Sequence, residues 1–253
     1  MINKQINHGF IPPIITPTDF WLGSKKLGSV ILNEKGDWRD YLPTFEPQRK
    51  TIEVNACVSF AILSNLEMLQ KLQYGNEPNY SDRFLAKLSN TNPNQGNTPS
   101  KVADTLRHSG TIPETEWPYD SSSLENYYKE IPQKFIDMGL DWLEDYEIGY
   151  EWVDSLKLKE ALKRSPVCVA VYAWAQNNKE EYIRLGPSTH YVVLIAYDEL
   201  DRPVIFDSYD PPGLKTLEKD YKLEFPQMYV LCKKQKKVNF WQRIINYLKK
   251  LLL

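Results

Sequence analysis

The sequence predicts an α+β fold of two lobes, a helical lobe followed by an antiparallel β-sheet lobe. Two patterns and one size argument point to it. Apolar residues recur at helical steps in the first half of the chain, and near-continuous apolar runs of strand character fall in the second half. With 253 residues, 42% hydrophobic and 25% charged, the chain is long enough for one large domain or two small ones with an ordinary core.

Residues 1–47 form an N-terminal segment rich in Pro and aromatics, such as Ile11-Pro12-Pro13 and Trp38 to Pro43. Short extended pieces and turns are expected there. In 57–73, Ile62, Leu66, Leu69 and Leu72 recur at steps of three and four. This spacing predicts a helix, stopped by Gly75 and Asn76. A loop by composition spans 90–99, and a short helix over 100–108 ends at Gly110. The stretch from Asp120 to about Tyr150 is polar and Tyr-rich. Helical spacing returns at 155–163 and stops before Pro166. Four strands follow: 167–174, 191–197, 204–206 and 227–232. The second is so uniformly apolar that burial on both faces is expected.

Several function classes are excluded by composition. A formal net charge of −2 argues against a nucleic-acid-coating protein, because phosphate contacts need a basic surface. No apolar run reaches membrane-spanning length, and the start of the chain lacks a signal-peptide core, so a cytoplasmic location is expected. Cys57, Cys168 and Cys232 are an odd number at wide spacing, unlike a disulfide framework. Neither CxxC nor HExxH spacing occurs, and no phosphate-cradling glycine loop is present. No metal and no cofactor is expected.

Residues 225–253 contain seven Lys or Arg and no acidic residue, leaving −9 on the rest. Within 233–253, Phe240, Trp241, Ile244, Ile245, Leu248, Leu251 and Leu252 keep helical spacing between basic residues. This tail is expected to form a basic amphipathic helix, a candidate for docking on an anionic membrane surface, on a protein partner, or on its own domain.

Three residues carry a chemical argument together. Cys57 opens the first long helix after a polar loop, and a helix N-terminus favours the thiolate, the reactive form. His190 opens an apolar strand, where its imidazole can face a cleft. Asp207 ends the next strand, so hairpin pairing would bring its carboxylate to the imidazole. Cys57 and His190 lie 133 residues apart, against about 130–150 in papain-type enzymes.

On these residues the sequence resembles the papain-like cysteine peptidases, from about Glu46 to Val230. Asn55-Ala56-Cys57-Val58-Ser59-Phe60-Ala61 is similar to the nucleophile segment. Tyr80 to Leu85 is similar to the second-helix segment, and Thr111 to Tyr119 to the family's Gly-Ile, Glu, Tyr-Pro-Tyr stretch. Leu158 to Leu162 with Pro166-Val167 resembles what precedes the histidine. The resemblance implies a catalytic domain over 48–232 that hydrolyses peptide bonds through Cys57, His190 and Asp207. Gln48 would polarise the oxyanion, and Gly96 and Asn55 would hold an extended peptide or protein substrate.

There are departures. Asn55-Ala56 replaces the family's Gly-Ser, and Val58 its Trp. Asp207-Ser208-Tyr209-Asp210 replaces Asn-Ser-Trp-Gly. Thr51 stands where the oxyanion glutamine would be, and Gln48 can serve only through a loop three residues longer. No long helical propeptide precedes Cys57, so zymogen control of the usual kind is not expected. Two alternatives stay open: a papain-fold binding or structural module without catalysis, and another Cys-His-Asp acyl-transfer enzyme of the bacteriocin-leader-peptidase or transglutaminase-like kind. His8 and His108 lack a motif and receive no role.

Overall fold

The computed structural model describes residues 8–16, 19–22, 30–209 and 213–234; the expected tail helix lies outside them from residue 235 on. Its centre is one helix, α1 (Cys57–Tyr74), apolar around most of its circumference, with thirteen of its eighteen residues buried. Such a helix belongs inside a core, not on a surface. It ends where the sequence predicts. Gly75 takes the left-handed conformation at φ 71° and donates its N–H to the Lys71 carbonyl.

The rest of the helical lobe packs on α1. In α2 (Asp82–Leu88) the Ser81 hydroxyl caps the first turn by accepting the Phe84 N–H at 3.1 Å. In α3 (Pro99–Ser109) Thr98 caps and Pro99 occupies the first helical position. The polar, Tyr-rich stretch 120–150 contains α4 (Leu124–Tyr127) and α5 (Gln133–Asp145), then β1 (Tyr146–Trp152). Helix α5 buries only Phe135 and Gly139, yet Phe135, Met138 and Trp142 recur at helical steps within a stretch whose overall composition is polar and Tyr-rich. Strand β1 is specified by a partner far along the chain.

After α6 (Leu158–Leu162) come β2 (Val167–Val171), β3 (Ala175–Gln176), β4 (Tyr182–Ile183), β5 (His190–Tyr197), β6 (Pro203–Asp207), β7 (Gly213–Thr216) and β8 (Glu224–Lys233). The main sheet runs β1-β8-β2-β5-β6-β7, each neighbouring pair antiparallel, and β3 and β4 form a separate ribbon. The α+β class and its two lobes are as the sequence predicts.

Helix α1 lies against β2 and β5. The Asn65 side chain donates to the Pro166 carbonyl at 2.7 Å, and the Cys168 thiol to the Ala61 carbonyl at 3.4 Å. This fixes the N-terminus of α1 at the sheet end where β5 begins. The N-terminal residues are part of the same core. Trp38 is fully buried, its indole N–H donating to the Leu162 carbonyl at 2.7 Å, and Phe10 stacks on Tyr191 at 5.5 Å.

Candidate active site

The loop that leads into α1 is held from the helical lobe. Arg83, buried in α2, donates to the Pro118 carbonyl at 2.9 Å and to the Tyr127 carbonyl at 2.7 Å, fixing the loop that follows. From that loop Tyr119 donates its hydroxyl to the Gln48 carbonyl at 3.0 Å, and Tyr128 donates to Val54. The Gln48 N–H donates in turn to the Ser208 carbonyl at 2.9 Å, tying the loop to the residue after Asp207. Both lobes therefore converge on residues 48–57.

Cys57 is the first residue of α1 and is fully buried. The expected acidification of its thiol is reversed in this conformation. Burial pushes the pKa well above its ordinary value, helped by the charges of Glu53 and Asp207. Backbone N–H groups of Tyr191 and Val58 pull the other way and do not offset it. The contact with Tyr191 N–H sets the sulfur beside the residue that follows His190.

His190 and Asp207 meet as the hairpin argument predicts. Strands β5 and β6 pair antiparallel, and the His190 Nε2–H donates to Asp207 Oδ1 at 2.6 Å, both side chains wholly buried. The other ring nitrogen, Nδ1, is buried with no hydrogen-bond partner. Asp207 also accepts the Tyr209 N–H on Oδ1 at 3.1 Å and the Lys215 ammonium on Oδ2 at 2.5 Å. Burial alone would raise its pKa. The neighbouring His190 and Lys215 more than offset that and hold it below the usual carboxylate value.

Gln48, Asn55 and Gly96 are all occupied. The Gln48 side-chain amide donates to the His8 carbonyl and to Glu53 Oε1, each at 3.1 Å. Asn55 has a positive φ of 49°, and its side-chain amide donates to the Pro93 carbonyl at 2.7 Å, fastening one loop to the other. Gly96 has φ +90° and lies so close to Gly9 that a Cβ there would be 1.8 Å from the Gly9 carbonyl oxygen.

What occupies them is the chain itself. Asn97 donates to the Gly9 carbonyl and Ile11 donates to the Asn97 carbonyl, both at 2.9 Å, while the His8 N–H reaches the Thr189 carbonyl at 3.1 Å. The His8 ring packs 4.2 Å from Tyr209 and 5.9 Å from His190. Burial, then the nearby His190, lowers the His8 pKa to about 4, so His8 is neutral there. The sequence gives His8 no role because an isolated histidine near a terminus carries no pattern. Lys215 and Trp174 are likewise missed, since Lys215 reaches Asp207 through the β6–β7 register and Trp174 meets His190 from the segment between β2 and β3. His108 sits exposed on α3, bonded to its own helix.

Among the described residues no cluster of His, Cys, Asp and Glu could hold a metal ion, and no helix is long and apolar enough to cross a membrane.

A helical lobe against an antiparallel sheet, with Cys57 heading the central helix and His190 heading the facing strand, is the papain-like cysteine-peptidase fold. Solved structures bear this out at the level of fold. Xylellain, a cysteine protease from Xylella fastidiosa, matches with a TM-score of 0.67 at 19% identity, over 92% of this chain and 98% of that one. The proform of the ragweed pollen allergen and cysteine protease Amb a 11 matches with a TM-score of 0.58 at 16% identity, over 83% and 69%. Digestive procathepsin L 3 of Tenebrio molitor matches with a TM-score of 0.58 at 14% identity, over 84% and 73%. No protein-family model and no curated protein matches the sequence.

Proposed function

We propose that this chain is a cysteine peptidase, and that the conformation described is its closed form. The observation that carries the reading is the polarity of His190. Its Nε2–H is committed to Asp207, and Nδ1, the remaining nitrogen, is buried without a partner on the residue before Tyr191, whose backbone N–H meets the Cys57 sulfur. That leaves one ring nitrogen to act as the base.

In the proposed reaction Nδ1 of His190 takes the Cys57 thiol proton and Sγ attacks the scissile carbonyl carbon. The negative charge that develops on the carbonyl oxygen is met by the Gln48 amide and the Cys57 backbone N–H. The same Nδ1 then protonates the leaving amine, and water releases the acyl group. Residues 8–11 must first leave, because the His8 carbonyl holds the Gln48 amide and residues 9 and 11 cover the 96–97 edge. Departure would rehydrate Cys57 and remove the burial that keeps its thiol protonated.

Prolonged incubation with an epoxysuccinyl thiol probe, followed by peptide mapping, tests this. A slow adduct confined to Cys57 and lost in His190→Ala is expected. The buried thiol and the occupied Gln48 favour one other reading, a papain-fold binding module without catalysis. A folded protein that never labels at Cys57, even with residues 8–11 displaced, would establish that reading instead.

A further inference from the structure

The third member of the triad is a carboxylate where the resembling family has a neutral asparagine. Asp207 is wholly buried, and a lone buried carboxylate against His190 would either take up a proton or overstabilise the imidazolium. Neither is necessary here, because a buried cation stands beside it. Lys215 on β7 is only 3% exposed, and its ammonium donates to Asp207 Oδ2 at 2.5 Å and to the Tyr209 carbonyl at 2.7 Å. It also sits 4.9 Å from the centre of the Trp174 ring, whose face adds a favourable electrostatic contact. Trp174 in turn stands edge-on to His190 at 5.9 Å.

The placement follows from the hairpin register. Asp207 pairs with Gly213, and Ile205 with Lys215, so Asp207 and Lys215 are diagonal neighbours on one face of β6–β7. Opposite Asp207, Gly213 carries no side chain that could stand between them.

We propose that Lys215 is a positioning residue for the triad: by binding Oδ2 it makes Asp207 and itself a net-neutral acceptor that stands in for asparagine. The carboxylate keeps one oxygen for His190 Nε2–H, while the lysine cancels the charge that an asparagine would not carry. The inference rests on the peptidase reading for the role of His190, but its test does not need turnover.

The test is the midpoint of the His190 ring titration, followed by NMR in histidine-labelled protein. The chain has three histidines, so His8→Gln and His108→Gln assign the signals. The other ionisable groups around the pair are His8, Arg49, Glu53, Cys57, Tyr182 and Tyr209, and none of them is changed in Lys215→Met, Asp207→Asn or the double variant. Lys215→Met leaves an uncompensated carboxylate and should raise the His190 midpoint by about one pH unit or more. Asp207→Asn leaves an uncompensated ammonium and should lower it by a similar amount. The double variant Asp207→Asn/Lys215→Met restores neutrality and should return the midpoint to within about half a unit of the wild type.

A lysine that merely braces the hairpin would lower the melting temperature of Lys215→Met and leave the midpoint in place, which would overturn the proposal. Should Lys215→Met not fold, Asp207→Asn against the double variant decides alone, and equal midpoints in those two would also overturn it. Midpoint shifts without peptide hydrolysis would keep the Lys215 assignment and remove the peptidase reading. Hydrolysis without shifts would do the reverse.

Discussion

Gly9→Ala should unlatch the N-terminal segment and expose Cys57. Gly9 has φ +105°, a conformation that residues with a side chain rarely adopt. A Cβ there would sit 2.2 Å from the Asn55 carbonyl oxygen, 2.4 Å from its carbon and 2.8 Å from its Cα. All three are backbone atoms of the loop leading into α1, so no side chain can swing aside. Residue 9 must withdraw, and four hydrogen bonds depend on its position: those joining His8 to Thr189, Gln48 to His8, Asn97 to Gly9 and Ile11 to Asn97. At about 1 kcal/mol net each, their loss amounts to ~4 kcal/mol. Each 1.4 kcal/mol is about tenfold in an equilibrium constant, so the open fraction should rise by up to ~1000-fold before it saturates. The assay is the rate of Cys57 alkylation by a small thiol reagent at fixed pH, with Gly75→Ala as control. Gly75 also has a positive φ, but a Cβ there meets nothing within 4 Å, and its helix end is remote from Cys57. A folded Gly9→Ala protein that alkylates at the wild-type rate would refute the reasoning.

Three further outcomes are expected. His8 is neutral when seated, with a pKa of about 4 against about 6.5 once released. Its contribution to closure is therefore complete above pH 6.5 and is lost as pH falls toward 4. The alkylation rate of the wild type relative to His8→Gln should accordingly rise about 30-fold between pH 7.5 and 5, and a flat ratio would show that His8 does not control closure. Cys57→Ala should abolish probe labelling while Cys168→Ala keeps it, since burial raises the Cys168 thiol pKa and its sulfur bonds inside the core to Ala61. Leu66→Ala empties a fully buried site on α1 and should cost about 2–5 kcal/mol in chemical denaturation.

The order of chemistry along the chain was legible because each part of it is local. Cys57 heads a helix whose apolar spacing and glycine stop are written in consecutive residues, and 191–197 reads as a buried strand from its composition alone. The contact of His190 with Asp207 follows from those local readings by hairpin pairing. Helix α5 carries a local signal, Phe135, Met138 and Trp142 at helical steps, that the polar composition around it obscures, whereas strand β1 is defined by a register with β8 that begins at Tyr146 and Lys233.

Tertiary structure alone decided what surrounds the candidate triad. The charge of Asp207 is balanced by Lys215, which no spacing in the sequence relates to a histidine 25 positions earlier. The Gln48 amide, proposed as the oxyanion donor, is held by the carbonyl of His8, 40 residues upstream. The Cys57 thiol, placed by sequence where a helix dipole would acidify it, is kept protonated by burial. The reason is the same in each case. Propensity and periodicity act over a few neighbouring residues, whereas desolvation and charge balance depend on every group within several ångströms, whichever part of the chain supplies it.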